Sequence, residues 1–362
     1  MITSRLEQAG PPWFGAVMGT GIVAVATTSF PVPVPGLRAA GTVLWLLSAV
    51  LLVVLAVLVL RAGAARRRRG GRPDPSDLPF HGAPGLGMLT VGAGAIGLGP
   101  DLLGEPAAAA LSWILWSSGT AVVLVVAVWV PFRWISVPGS ATDPAPAWIM
   151  PVVGPMVAAA DGALLIGHTP GPAAASTMLL VCVALFGLGV VSALALLPRV
   201  LARLGTTGLA LADTPTVVIV LGPFGQSVTA ANLLAGHAQG LLPEPFAGVA
   251  IGAGLLYGAP AWGFAVGWAV LSAMLIGHAV GRGMTFSASW WAVTFPFGTL
   301  VTGTNALAAR TALPPVVGAA VVLFAVLVLV WGVVAAATVR SALSDVADDI
   351  GASRPSNRTR SA

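Results

Sequence analysis

Apolar residues run along this chain in ten long blocks separated by short polar segments. The blocks cover about 12–31, 40–61, 80–100, 107–130, 147–168, 173–197, 214–236, 246–280, 287–309 and 315–339. A helix crossing the hydrocarbon core of a bilayer takes roughly 20 predominantly apolar residues. The pattern therefore predicts an all-α integral membrane protein of ten transmembrane helices, paired as five helical hairpins. The eighth block is long for one span and holds Gly252, Gly254, Gly258, Pro260 and Gly263, so part of it reads as a loop or a kinked end.

The blocks alternate in character. Even blocks are nearly unbroken aliphatic runs, such as Val50 to Leu60, Val122 to Val130 and Val316 to Val334. Odd blocks are interrupted by glycine and proline. The first has Gly15, Gly19 and Gly21, the third seven such residues from Gly82 to Gly97, and the fifth Pro151, Gly154, Pro155 and Gly162. The seventh has Gly222, Pro223 and Gly225, and the ninth has Pro296, Gly298 and Gly303. Proline removes a helical hydrogen bond, and glycine lets backbones approach closely. Backbone groups freed in this way must be buried in protein or line a watery cavity. This places five odd helices in an inner ring around a central pore, kinked at Pro151, Pro155, Pro223 and Pro296, with five even helices outside.

Composition and charge add topology. The chain has 362 residues, 57% of them hydrophobic and only 8% charged, against roughly 25% charged in a soluble domain. An ordinary soluble enzyme and a disordered chain are both excluded. The net charge of +5 comes from arginine alone, and 15 of the 17 arginines fall on the side of the ten-span topology that holds both termini. The positive-inside rule makes that side cytoplasmic in the plasma or cell inner membrane. Topology, and not nucleic-acid binding, accounts for the basic balance. Residues 1–11 read as a cytoplasmic N-terminus, 12–339 as the transmembrane domain and 340–362 as a disordered cytoplasmic tail. Ala24-Val25-Ala26 fits a small-residue cleavage pattern, but the first block reads as a span and not as a leader. The Arg66–Arg69 run reads as a topology anchor. The single cysteine, Cys182, excludes a disulfide framework and reads as a buried small hydrophobe.

Polar groups inside the odd blocks are few: Thr20, Thr90, Gln226, Ser227, Asn232, Thr294, Thr302 and Asn305. Hydroxyls and amides offer an anion partial positive charge without a full countercharge, and such weak binding suits conduction. Gly19, Thr20, Thr90, Gln226, Ser227, Thr294 and Thr302 are accordingly candidates to line a pore or contact an anion; helix–helix hydrogen bonding is the competing role. Asp161 is the one carboxylate deep within a block, a candidate for proton coupling because an intramembrane acid is costly. His81, His168, His237 and His278 sit at block edges without metal-ligand spacing, and the chain has no lysine for a phosphate-binding loop. No metal, cofactor or direct ATP use is expected.

Four strings in the odd blocks go further: PPWFGAVMGTGIVAVA, PAWIMPVVGPMVAAADGALL, DTPTVVIVLGPFGQSVTAANLL and SASWWAVTFPFGTLVTGTNALAAR. Together they resemble the tellurite-resistance/dicarboxylate transporter family, which includes bacterial TehA-type channels, yeast malate and sulfite transporters and the slow anion channels of plants. The resemblance spans roughly residues 11–340. It implies a ten-helix pore protein, usually a homotrimer with one pore per subunit, and no enzyme. It implies a small anionic substrate, either a C4-dicarboxylate such as malate or sulfite, nitrate or chloride. A phenylalanine of the ninth helix plugs the pore in that family, and Phe295 in Thr294-Phe295-Pro296 stands at the matching position. Phe297 is the neighbouring competitor, since two positions apart on a helix both rings cannot face one axis. Asp161 departs from the small or hydroxyl residue usual there. The rival readings are a proton-coupled carrier of organic anions using Asp161 and, outside transport, an intramembrane enzyme.

Overall fold

The computed structural model describes residues 10–70, 75–136 and 145–352, and among them every regular element is helical. Ten helices carry the fold: α1 (Phe14–Thr28), α2 (Leu37–Arg68), α3 (Ala83–Leu98), α4 (Glu105–Ser136), α5 (Met150–Leu165), α6 (Pro172–Thr207), α7 (Leu221–Leu241), α8 (Phe246–Gly281), α9 (Trp291–Thr311) and α10 (Pro314–Ala352). Odd helices are short, from 15 to 21 residues, and even helices are long, from 32 to 39. At 1.5 Å per residue, a 32-residue helix is about 48 Å long and overruns a hydrocarbon core of roughly 30 Å.

The two sets begin differently. Each odd helix is led in by a 3-10 segment: Pro11–Trp13, Pro75–Gly82, Pro146–Ile149, Leu211–Val220 and Ala288–Trp290. None of the five has a side-chain N-cap. A helix start leaves backbone N–H groups without partners, and the preceding 3-10 turn meets that need with its own carbonyls. The Phe14 N–H, for example, donates to Pro11 O and Pro12 O. Prolines at Pro11, Pro12, Pro84, Pro146 and Pro151 remove further donors where they would be unsatisfied.

Packing follows from side-chain size. α1 packs on α3, α3 on α5, α5 on α7, α7 on α9 and α9 back on α1, so the odd helices close a ring. Each even helix lies against the odd helix preceding it. Glycines set the separation inside the ring. A Cβ at Gly225 would stand 2.5 Å from Leu300 N and Thr299 C, and one at Gly303 would stand 2.8 Å from Gly225 O. Tryptophans tie the outer layer to the inner. Trp45 of α2 donates to Val91 O, Trp116 of α4 to Ala158 O, Trp262 of α8 to Thr304 Oγ1 and Trp331 of α10 to Thr20 Oγ1, at 2.8–3.1 Å.

Among the described residues seven stretches are long and apolar enough to cross a membrane: those of α2, α4, α5, α6, α7, α8 and α10. α1 and α3 are short, with 15 and 16 residues. α9 carries Thr294, Thr299, Thr302, Thr304 and Asn305, all buried. A helix surrounded by protein is under no pressure to be apolar throughout, which is why the hydropathy of α9 is low. The apolar stretches with α5 and α7 are 89% and 83% buried, whereas those of the even helices are 11–28% buried. Leu60, Ile114, Val128, Leu180, Leu256 and Leu329 are among the exposed apolar side chains on the even helices, a surface suited to lipid.

Four sequence expectations change. The glycine-rich eighth block is one continuous helix, α8, in which Gly254 and Gly258 serve close packing on α7: a Cβ at either would meet Ala235 Cβ or Asn232 Nδ2 at 3.0 Å. The seventh block begins as the 3-10 segment Leu211–Val220. The tail expected to be disordered from 340 continues as helix to Ala352; residues 1–9 and 353–362 lie outside the described residues. Pro151 starts α5 and does not interrupt it, Pro223 falls in the first turn of α7, and α5 and α9 run on as helix through Pro155 and Pro296.

Candidate functional site

The 3-10 leads and first turns of the odd helices converge on a cavity of about 560 Å³. Each contributes residues at helical spacing: Gly15 and Met18 from α1, Phe80 and Ala83 before and on α3, Ala147 and Met150 at the start of α5, Thr216 and Ile219 ahead of α7, and Ala292, Phe295 and Pro296 of α9. Positions three or four apart share a helix face, so each inner element gives one stripe to one space. A 3-10 helix repeats every three residues, which puts Thr216 and Ile219 in line on theirs.

The Phe295 ring is 3% exposed and lines this space beside Pro296. Phe297 turns elsewhere. It packs on the cluster of Val23, Ala26, Val301 and Leu327, between α1, α9 and the outer helix α10. The competition between the two rings, open from sequence, is thus settled in position: Phe295 is on the cavity and Phe297 is in the packing between layers.

The polar candidates are engaged in the helix walls. Thr20 accepts from Trp331 Nε1 of α10 at 3.1 Å. Thr90 donates to Leu86 O at 2.8 Å, Ser227 to Phe224 O at 2.9 Å and Thr294 to Trp291 O at 2.9 Å. Thr302 meets Thr229 Oγ1 across α7 and α9 at 3.0 Å and also donates to Thr299 O. Gly19 is the seat for Thr294 and Trp291, whose atoms occupy the place of its missing side chain. Asn305 donates to Ala26 O and Ser29 Oγ of the α1 end, both at 3.2 Å. Gln226 differs, since its Oε1 is buried without a hydrogen-bond partner. None of the seven pore-lining candidates borders the cavity around Phe295.

The polar groups that do border it are Asp77, Arg203, Asp213, Thr216 and Ser289, with Trp148 and Trp291 as aromatic walls. Trp148 packs on Trp134 of α4 with ring centroids 4.1 Å apart and the ring planes tilted by 41°. Sequence reading passed over these positions because they lie in block-edge segments, where charge and tryptophan have a ready interfacial explanation. The repeated tryptophans at the starts of the first, fifth and ninth blocks were the available signal.

Asp161 lies near the C-terminal end of α5, next to Gly162, which packs on Cys182 Sγ and Trp116 Nε1. Its Oδ2 is buried without a hydrogen-bond partner, and among the described residues it makes no ion pair. At the opposite end of the ring from the cavity, Arg310 Nη2 donates to Asn232 O at 2.7 Å. No group of three or more His, Cys, Asp or Glu side chains suited to a metal ion occurs among the described residues.

Comparison with known proteins identifies the family. The profile of the SLAC1 family, voltage-dependent anion channels, matches residues 8–339. A sulfite efflux pump of Trichophyton rubrum is 28% identical over 309 residues, covering 82% of this chain and 80% of the relative. Another from Arthroderma benhamiae matches to the same extent, and an uncharacterised transporter of Methanocaldococcus jannaschii is 27% identical over 303 residues, covering 82% of each chain. Members of this family are transporters and channels and not enzymes. With a match running from residue 8 to residue 339, the chain belongs to the SLAC1 family of anion channels and transporters.

Proposed function

We propose that the ring of odd helices is the conduction pathway for a small anion and that Phe295 closes it. The observation carrying this reading is the position of Phe295, nearly fully buried on the lining of a vestibule to which the inner helices or the 3-10 segments that lead into them all contribute. All ten helices then cross the bilayer as five hairpins, with both termini cytoplasmic and the vestibule facing the cytoplasm, as the arginine distribution requires. The protein sits in the plasma or cell inner membrane, as a homotrimer by family resemblance. The substrate class is small inorganic anions. The relatives that are sulfite efflux pumps favour sulfite over malate, and transport then runs outward.

Conduction needs weak binding along the path, and a wall whose hydroxyls are occupied by helix carbonyls provides little else. The test is flux in liposomes containing the purified protein, with sulfite, nitrate, chloride and malate offered at set potentials. Phe295→Ala is expected to raise flux of the small anions well above the parent protein, and Phe297→Ala is expected to leave it unchanged. Equal flux in the parent protein and in correctly folded Phe295→Ala, or a larger rise in Phe297→Ala, refutes the gate.

A further inference from the structure

Arg203 belongs to an outer helix, yet it lines the vestibule otherwise walled by the starts of the inner ones. Its Nε is shielded from solvent and has no hydrogen-bond partner. Asp77 and Asp213 border the same cavity, but among the described residues Arg203 makes no ion pair with either. A guanidinium on a cavity wall with no carboxylate paired to it leaves its charge to be answered by what enters the cavity. Here the group borders a space of about 560 Å³ whose lining includes Phe295.

We propose that Arg203 is the capture site for a small oxyanion on the cytoplasmic side of Phe295. This rests on the anion-pathway reading above and adds the group that selects the anion. The chemistry is that of the guanidinium edge. The two terminal Nη groups offer parallel N–H donors matched to two oxygens of one oxyanion, whether sulfite, nitrate or a carboxylate. A halide ion has one centre and takes only one of the two bonds with good geometry. The starts of the five inner helices bring the positive ends of their dipoles to the same space. Asp213 on the same lining works in the other direction and disfavours ions of high negative charge. Together these groups suit a small ion carrying one or two charges. An anion held at a single guanidinium, within a cavity open to solvent, is held weakly enough to pass on when the ring moves.

The experiment uses Phe295→Ala as the parent, so that flux reports passage through the vestibule. Half-saturating cytoplasmic-side concentrations of nitrate, sulfite and chloride are measured in liposomes for the parent, Arg203→Gln, Arg203→Lys and Arg199→Gln. Arg199 lies one turn away on the same helix and is exposed. Losing a charged hydrogen bond is expected to raise the half-saturating concentration of nitrate and sulfite about tenfold in Arg203→Gln. Chloride is expected to shift less, and saturating flux to stay at the parent value. Arg203→Lys should lie between the two, and Arg199→Gln should match the parent. Arg203→Cys in a Cys182→Ala background supplies a second route, because a thiol reagent carrying an ammonium should restore the affinity and a neutral reagent of similar size should not.

Half-saturation unchanged in Arg203→Gln, or lowered saturating flux with unchanged half-saturation, overturns the capture site while leaving the pathway standing. Equal effects of the charged and neutral reagents overturn it as well. If instead the Phe295→Ala parent carries no anion at all, the pathway reading itself fails, and the capture site with it.

Discussion

Replacing Gly225 with alanine adds one methyl group where α7 and α9 have no room for it. The new Cβ would lie 2.5 Å from two backbone atoms of α9, Leu300 N and Thr299 C, where ordinary contact begins at 3.4 Å. Backbone cannot rotate away as a side chain can, so the helices must part by about 0.9 Å at this level. The Thr229–Thr302 hydroxyl pair, now at 3.0 Å, then opens to about 3.9 Å and is lost as a hydrogen bond. Overpacking of this sort costs about 1–3 kcal/mol and an interhelical hydrogen bond in a membrane about 0.6 kcal/mol, so about 2–4 kcal/mol is expected in all. The control is Gly267→Ala on α8, where a Cβ meets nothing within 4 Å; a change of under about 0.5 kcal/mol is expected there. Thermal unfolding of both variants in detergent, followed by loss of the monodisperse peak in size-exclusion chromatography, makes the comparison. The apparent melting temperature should drop by several degrees for Gly225→Ala and stay with the parent for Gly267→Ala. If the two variants melt together, the close approach of α7 and α9 does not set the stability of the ring, and the reasoning fails.

The other predictions use different handles. Asp161→Asn keeps the shape of the side chain and removes its charge; with no ion-pair partner near it, anion flux and its response to a pH gradient should be unchanged, and loss of gradient-driven accumulation alone would make the protein a proton-coupled carrier. Single cysteines in a Cys182→Ala background should react with water-soluble thiol reagents at Gly15, Ala292 and Thr216 and stay unreactive at Leu180, Leu256 and Leu329, which face lipid in the proposed arrangement; equal labelling of both sets contradicts it. In an exposed pair between the start of α2 and the α3–α4 connection, the Arg38 guanidinium holds Asp101 below the usual carboxylate range through a paired hydrogen bond, 2.9 Å from Nη2 to Oδ1. A carboxyl depressed on folding stabilises the fold above its unfolded pKa and stops doing so as pH falls through the folded value. Any stability difference between the parent and Asp101→Asn should therefore be present at neutral pH and vanish in strong acid, and a difference that grows on acidification would contradict the pairing.

Hydropathy alone determined the ten apolar blocks, the all-helical class and the division into two kinds of helix, because lipid-facing and protein-facing helices meet different solvents. Glycine and proline marked the odd helices as interior, since only there can backbone approach backbone, as at Gly225 and Gly303. The distribution of arginine supplied an orientation, and the ninth-block string pointed to Phe295. Hydropathy and spacing did not choose between the two phenylalanines; only the resemblance favoured Phe295. They are two positions apart on one helix, and the choice is made by how α9 is rotated against α1 and α10. The same holds for Thr20, Thr90, Thr294 and Thr302, whose hydroxyl partners are carbonyls and side chains placed by helix packing. Arg203 was read from sequence as one of many cytoplasmic positive charges. Only the folding of α6 alongside the ring carries that one guanidinium to a cavity built by five other elements, and no local pattern in the chain encodes a meeting of residues so far apart.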